Sequence, residues 1–170
     1  MRKYLDELLR CIEKGDISGL RDLSNRAIEE ALITESRELI NLSLLSYALS
    51  KILTKAHFKE YWPRIREKLV PALKEEKPYS EILENLLNEI TLFDREFGNY
   101  AIDIVEKARL KQASRAYALG MSIRRAAEIT GCDFHELQDY IGKTKIHERP
   151  FSQTRNIRER YKYVKEFFGE

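Results

Sequence analysis

Three closely spaced glycines divide the stretch from residue 114 to residue 142 into short segments with helical apolar spacing, and no other feature constrains the fold as strongly. Gly120, Gly131 and Gly142 stand where each helix should stop, because glycine adopts positive φ readily. The sequence therefore predicts a helix, a tight turn, a short helix, a second tight turn and another short helix.

Capping residues support both turns. Ser122 can cap the second of these helices, and Asp133, with Glu136 three residues on, makes a capping-box-like start for the third. Two short helices joined by a glycine turn are the sequence form of a helix-turn-helix, whose second helix can enter the major groove of DNA. DNA binding is therefore the leading hypothesis from the sequence.

The composition of the whole chain predicts an all-α protein. Of its 170 residues, 43% are apolar and 34% are charged, while seven glycines and four prolines leave few helix breakers. We expect an N-terminal helical bundle of about five helices over residues 1–97, which mediates dimerisation or binds a partner. A C-terminal helix-turn-helix module over residues 100–170 should follow and end in a terminal helix, Thr154–Phe168. The boundary between them falls at Gly98-Asn99.

Apolar spacing also predicts where the longer helices lie. A sixth helix, over about residues 100–119, is expected to pack on both parts of the chain, which could then form one compact unit. Thr34 is predicted to cap a third helix, over about residues 35–55, that is apolar on most sides and so belongs in the middle of the bundle. Pro63 and Pro71 are predicted to break or bend the fourth helix.

Charge is distributed unevenly along the chain, whose net charge is +2. Residues 1–106 hold 16 Lys and Arg against 20 Asp and Glu, whereas residues 107–165 hold 14 against 6. The positive charge therefore lies in the part that carries the helix-turn-helix pattern, as a phosphate-binding surface requires. The basic C-terminal helix adds to this surface.

Side chains on the exposed faces of the module are the candidate DNA contacts. On the third helix of the pattern, Gln138 could pair with adenine and Phe134 could touch a thymine methyl group. Arg124 and Arg125, at the start of the second helix, would contact phosphate, which sets orientation rather than sequence choice. The candidate DNA-binding residues are Lys111, Arg115, Arg124, Arg125, Phe134, His135, Gln138, Lys143, Lys145 and Arg149.

The third helix of the pattern also carries an argument against DNA binding. It offers Asp133, Glu136 and Asp139 but no Lys or Arg before residue 143, so its face would meet phosphates with like charge. Asp133 and Glu136 are explained by capping, whereas Asp139 is not. The alternative is a non-catalytic helical interaction or scaffold protein whose helix-turn-helix-like module docks a protein partner or packs internally.

A more specific type of helix-turn-helix is indicated by the string LGMSIRRAAEITGCDFHEL, residues 119–137. It resembles the helix-turn-helix of prokaryotic antitoxin-like DNA-binding proteins and transcription regulators, and a similar module ends some archaeal proteins of uncharacterised function. The resemblance covers about residues 107–146. It implies transcription regulation by a DNA-binding repressor, and a homodimer, because such modules usually reach two half-sites as two-fold dimers.

The sequence contains no catalytic or metal-binding pattern. His57, His135 and His147 are widely scattered, and no two of them stand at helical spacing from each other. There is no glycine-rich phosphate loop and no nucleophile elbow. We therefore expect a protein that is not an enzyme and that has no cofactor.

Cysteine usage and hydropathy favour a cytoplasmic protein. Cys11 and Cys132 lie far apart, each among apolar neighbours, as expected of buried free thiols. The most apolar run, Leu39–Ser50, has 12 residues, fewer than the roughly 20 that span a bilayer. The charged helix directly after Met1 does not resemble a signal peptide. We expect DNA, a second copy and a protein partner of the bundle as binding partners, and no membrane.

Overall fold

Helices account for all the regular secondary structure in the described part of the chain. No strand occurs there, so the all-α prediction is confirmed. The computed structural model describes residues 1–54, 62–74, 78–96 and 104–143. The helices are α1 (Arg2–Lys14), α2 (Ile17–Thr34), α3 (Arg37–Thr54), α4 (Trp62–Leu73), α5 (Tyr79–Glu96), α6 (Ile104–Ala118), α7 (Ile123–Thr130) and α8 (Phe134–Lys143).

The turn between α1 and α2 is fixed by two adjacent residues. Gly15 ends α1 in the left-handed conformation, with φ 64°. Asp16 then caps α2, because its Oδ1 accepts a hydrogen bond of 2.9 Å from the backbone N–H of Gly19. Gly19 lies close to α1, since a Cβ at this position would be 2.8 Å from Sγ of Cys11. The first turn of α2 therefore packs directly on α1.

The boundary between α2 and α3 differs from the sequence prediction. Thr34 does not cap α3; it is the last residue of α2, where its hydroxyl donates to the carbonyl of Glu30 at 2.9 Å. Glu35 follows in the left-handed conformation, with φ 53°, and its N–H donates to the carbonyl of Ala31. Ser36 takes the capping position, with its Oγ 3.4 Å from the N–H of Leu39.

Two prolines lie within α4, which forms nevertheless. Pro63 is the second described residue of α4. Pro71 lies inside the last turn, and the helix stops two residues later at Leu73.

The main core is formed by buried apolar side chains of α1–α5 together with Ile104, Val105 and Ala108 of α6. α3 lies in its middle, because it packs against α2, α5 and α6 and is buried on most sides. Partly buried Ile129 of α7 also packs against this core. None of the described helices is long and apolar enough to cross a membrane.

A small core holds the last three helices together. Its buried members are Ala113, Ala116, Ala126, Ala127, Leu137 and Ile141. The alanines let α6 and α7 approach closely, and Leu137 and Ile141 bring α8 against both. Since the first half of α6 belongs to the main core and its second half to the small core, one helix joins the two.

A buried polar cluster fixes how α6 sits on the bundle. Ser24 of α2 and Ser43 of α3 each donate a hydroxyl hydrogen bond to the other's backbone carbonyl, at 2.7 and 2.8 Å. Gln112 of α6 donates its amide N–H to Oγ of Ser24 at 2.9 Å. All three side chains are almost completely buried, so the cluster sets the relative position of three helices.

Candidate nucleic-acid interface

The start of α7 is specified by two residues that the sequence identifies. Gly120 has φ 111°, which reverses the chain after α6. Ser122 caps α7, with its Oγ accepting a hydrogen bond of 3.2 Å from the N–H of Arg125. The predicted cap at Ser122 is therefore confirmed.

The turn between α7 and α8 is short and is held from outside by α6. Gly131 ends α7 with φ 68°, and Asp133 caps α8 by accepting the N–H of Glu136 at 2.9 Å. Arg109 of α6 donates to the carbonyl of Thr130 at 2.8 Å, and its guanidinium occupies the space that a Cβ on residue 131 would need. The glycine is thus required both by its φ and by the guanidinium beside it.

Gly142 does not form the third corner that the sequence predicts. It lies inside α8, which continues to Lys143, and its φ is not positive. A Cβ at this position would meet no atom within 4 Å. Two glycine corners, at Gly120 and Gly131, therefore define the arrangement of α6, α7 and α8.

The outer face of α8 is exposed to solvent. Leu137 and Ile141 point inward against α6 and α7, which are the helices that α8 mainly contacts. The outer face is formed by the exposed residues His135, Glu136, Gln138 and Asp139. The result is a ten-residue helix that is anchored on one side and open on the other.

Phe134 is more enclosed than a direct base contact requires. It is half-buried and packs against the small core. Its ring meets the ring of His135 edge to face, with centroids 5.4 Å apart. A shallow concavity between α7 and α8, lined by Phe134, Cys132 and Arg124 among others, leaves part of the ring accessible.

The candidate cations fall into two groups, of which the first is accessible. Arg124 is exposed on α7, and Lys143 is exposed at the end of α8. Lys111 of α6 is half-buried and lies near Tyr47 of α3. Lys145 and Arg149 lie outside the described residues.

The second group is engaged with carboxylates of α2, of the turn that follows it and of α7 itself. Arg115 lies 2.5 Å from Oε1 of Glu29. Arg125 lies 3.6 Å from Oε2 of Glu35 and 3.0 Å from Oε2 of Glu128. The hydrogen bond that Arg125 donates to Glu128, followed by the charges of Glu128 and Glu35, raises the pKa of Arg125. These two candidates thus link α6 and α7 to the bundle.

Sequence reasoning missed Arg109, which positions the turn before α8. Besides its bond to Thr130, its Nε lies 3.3 Å from Oε1 of Glu106. It also lines a cleft of about 480 Å³ between α3, α5, α6 and α7, across which Arg37 and Glu84 face each other at 3.9 Å. No local pattern signals this role, because the carbonyl that Arg109 binds belongs to another helix.

In comparisons with protein-family models, with curated proteins and with solved structures, nothing matches this chain. The functional argument therefore depends on the chain's own residues and their geometry.

Proposed function

We propose that this chain is a non-catalytic DNA-binding protein, a transcriptional regulator or antitoxin-like repressor, in which α7 and α8 act as a helix-turn-helix. The observation that carries the proposal is the exposed outer face of α8, opposite the anchoring side chains Leu137 and Ile141. A recognition helix must be held rigidly on one side and open on the other, since it enters the major groove.

The two ends of this unit carry accessible positive charge. Arg124 is exposed at the start of α7, and Lys143 is exposed at the end of α8. Cations on either side of a recognition helix would meet the two phosphate backbones that border the groove. The carboxylate of Asp133 is explained by its role as the cap of α8, since it accepts the backbone N–H of Glu136.

Base recognition falls to the outer face of α8. Gln138 is exposed in the middle of that face, and its amide can bind adenine through two hydrogen bonds. His135 lies one turn earlier on the same face. We propose a homodimer whose two copies of α8 reach half-sites about 34–36 Å apart, as two-fold helix-turn-helix proteins do.

A binding titration tests the proposal directly. Duplexes selected from a random-sequence library are titrated by fluorescence anisotropy at several salt concentrations. We expect affinity to fall steeply with salt, and Arg124→Gln to reduce the salt slope by about 1 on every sequence. Gln138→Ala should relax discrimination at one base pair roughly 5- to 100-fold, the range of a lost bidentate contact.

The matched control is Lys3→Gln, which removes an exposed cation from α1. It should change neither the slope nor the discrimination. An absence of binding at low salt, or an affinity that does not depend on salt, would overturn the proposal.

Docking of a protein partner is a second candidate, because the outer face of α8 carries two exposed carboxylates, Glu136 and Asp139. The double variant Glu136→Gln with Asp139→Asn separates the two functions. If α8 enters DNA, loss of these charges removes repulsion from phosphate and raises affinity. If α8 docks a protein, DNA affinity stays at the background level in both the variant and the original protein.

A further inference from the structure

A cluster of cations and tyrosines covers one face of the bundle beside α8. We call it the basic–aromatic face. It is formed by Arg21 of α2, Tyr47 and Lys51 of α3, Lys111 of α6 and Tyr140 of α8. Three of its five residues belong to the predicted bundle, far in sequence from the glycine turns. Lys111 is the only member among the candidate DNA contacts that the sequence identifies.

Tyr47 is the centre of this face. Its ring is half-buried against the main core, and Nζ of Lys51 lies 5.2 Å from the ring centroid. Arg21 is exposed, and its Nη2 donates to Oγ1 of Thr54 at 3.3 Å. The two cations from α2 and α3 are thus held near the same aromatic ring.

Residues from α6 and α8 also act electrostatically on the hydroxyl of Tyr47. Burial raises the pKa of Tyr47, the charges of Lys111 and Arg21 lower it, and the phenol of Tyr140 raises it. The full charges that act on this hydroxyl, within the described part of the chain, are therefore both positive. Cations that crowd together in this way can be neutralised by an anionic ligand.

The cations stand on a preformed surface. Ser24, Ser43 and Gln112 bind α2, α3 and α6 together through buried hydrogen bonds. Lys51 and Lys111 are half-buried, and a lysine can pack its aliphatic stem while its ammonium group stays in water. Little ordering is then needed when a polyanion binds, which reduces the entropic cost of association.

We propose that the basic–aromatic face binds the phosphate backbone of the same DNA duplex that α8 enters, so that the bundle itself extends the DNA footprint. This inference rests on the proposed function. Tyr140 connects the two surfaces, since it lies on α8 one turn before Lys143. With α8 in the major groove, the neighbouring face of the bundle meets the flanking phosphates. Duplex DNA fits better than an acidic protein, because phosphates recur at regular spacing along one direction.

The test compares two double variants with equal loss of charge. Arg21→Gln with Lys51→Gln removes two cations of the face, whereas Lys3→Gln with Arg66→Gln removes two exposed cations of α1 and α4. Each phosphate contact contributes about 0.9 to the slope of log affinity against log salt. We expect the first variant to reduce that slope by about 2 on all duplexes, with sequence discrimination unchanged, and the control to leave it unaltered.

The outcomes separate this inference from the proposed function. If the original protein binds duplex DNA and Arg124→Gln weakens it, but the face variant keeps the full slope, the inference alone is overturned. If the original protein binds no duplex, both are overturned. A reduced slope only with single-stranded RNA would overturn the assignment to duplex DNA. Circular-dichroism melts of both double variants show whether the fold is retained.

Discussion

Oε2 of Glu35 lies 3.6 Å from Nη2 of Arg125, which joins the turn between α2 and α3 to the first turn of α7. Glu35 is also the one residue other than glycine with positive φ in the described part of the chain, at 53°. A left-handed conformation is unfavourable for glutamate, because its Cβ crowds the backbone. The contact to α7 is therefore made from a locally strained position.

Two substitutions at residue 35 separate the effect of the backbone conformation on stability from the effect of the side-chain charge. Both Glu35→Gly and Glu35→Gln remove the ion pair, but only glycine relieves the left-handed conformation. We expect Glu35→Gly to be more stable than Glu35→Gln by about 1 kcal/mol in chemical denaturation. Equal stabilities would show that the turn relaxes to negative φ in solution.

Glu35→Gln should also strengthen DNA binding, under the proposed function. It removes one of the two negative charges beside Arg125, while Glu128 stays at 3.0 Å, and so reduces the competition with phosphate for that guanidinium. We expect a gain in affinity on the order of 3- to 10-fold at low salt, with a salt slope steeper by up to about 1. Glu13→Gln, at an exposed position of α1, is the control. Unchanged affinity would mean that Arg125 does not face the duplex.

Substitution by alanine should lower the stability at Gly131 and raise it at Gly142. Gly131→Ala places a Cβ at φ 68° and displaces the guanidinium of Arg109, so we expect a loss of at least 1–2 kcal/mol. Gly142→Ala adds a methyl group in open space within a helix, so we expect a gain of roughly 0.5–1 kcal/mol. Thermal denaturation of the two variants checks both signs. A loss at Gly142 would indicate that α8 ends there.

The buried polar cluster predicts an asymmetric response to substitution. Ser24→Ala leaves the amide of Gln112 without its partner, while the Oε1 atom of Gln112 already has none, so we expect a loss of about 1–3 kcal/mol. Gln112→Leu removes the unpaired oxygen together with the amide and should cost less than Ser24→Ala. Urea unfolding of the two single variants and of the double variant gives the coupling free energy between Ser24 and Gln112. A larger loss for Gln112→Leu would contradict this account.

The two thiols should react slowly at neutral pH. Burial raises the pKa of Cys132, and a hydrogen bond from Thr130 only partly offsets it; burial likewise raises the pKa of Cys11. A raised pKa lowers the thiolate fraction, so in a Cys11→Ala variant we expect Cys132 to react with a disulfide reagent more slowly at pH 8 than a free cysteine. The rate should climb as the pH passes 9. Because the folded state favours the protonated thiols, their contribution to the free energy of unfolding is present at neutral pH, where both thiols are protonated. It is lost as the pH rises through their raised pKa values. Rapid labelling at pH 7 would contradict the burial of Cys132.

Local signals predicted most of the helices. Apolar spacing predicted a largely apolar helix where α3 lies, and the caps Ser122 and Asp133 act at the positions where they were expected. The error at the start of α3 occurred where two nearby residues both suit a helix boundary. Thr34 and Ser36 can each cap a helix, and the left-handed Glu35 between them gives no sequence signal because glutamate rarely adopts that conformation.

The candidate site was less predictable, because its charges are paired through tertiary contacts. Nothing in the sequence associates Arg115 with Glu29 or Arg125 with Glu35, since such pairs depend on how helices cross. The sequence does not predict the basic–aromatic face for the same reason, since its residues also come together only through the packing of helices. Exposure of Arg124 and of the outer face of α8 did follow from spacing, because Leu137 and Ile141 repeat at the interval of one helical turn.

The shared position of α6 has a consequence for how the chain can be divided. A fragment that stops before residue 104 would leave the side chains beneath Ile104, Val105 and Ala108 open to water, and a fragment that starts there would carry those three apolar residues uncovered. Neither fragment would have a complete hydrophobic core. If α7 and α8 tilt when a ligand binds, α6 must move with them, because its first half completes the main core. Looser packing in the small core would therefore also loosen the main core.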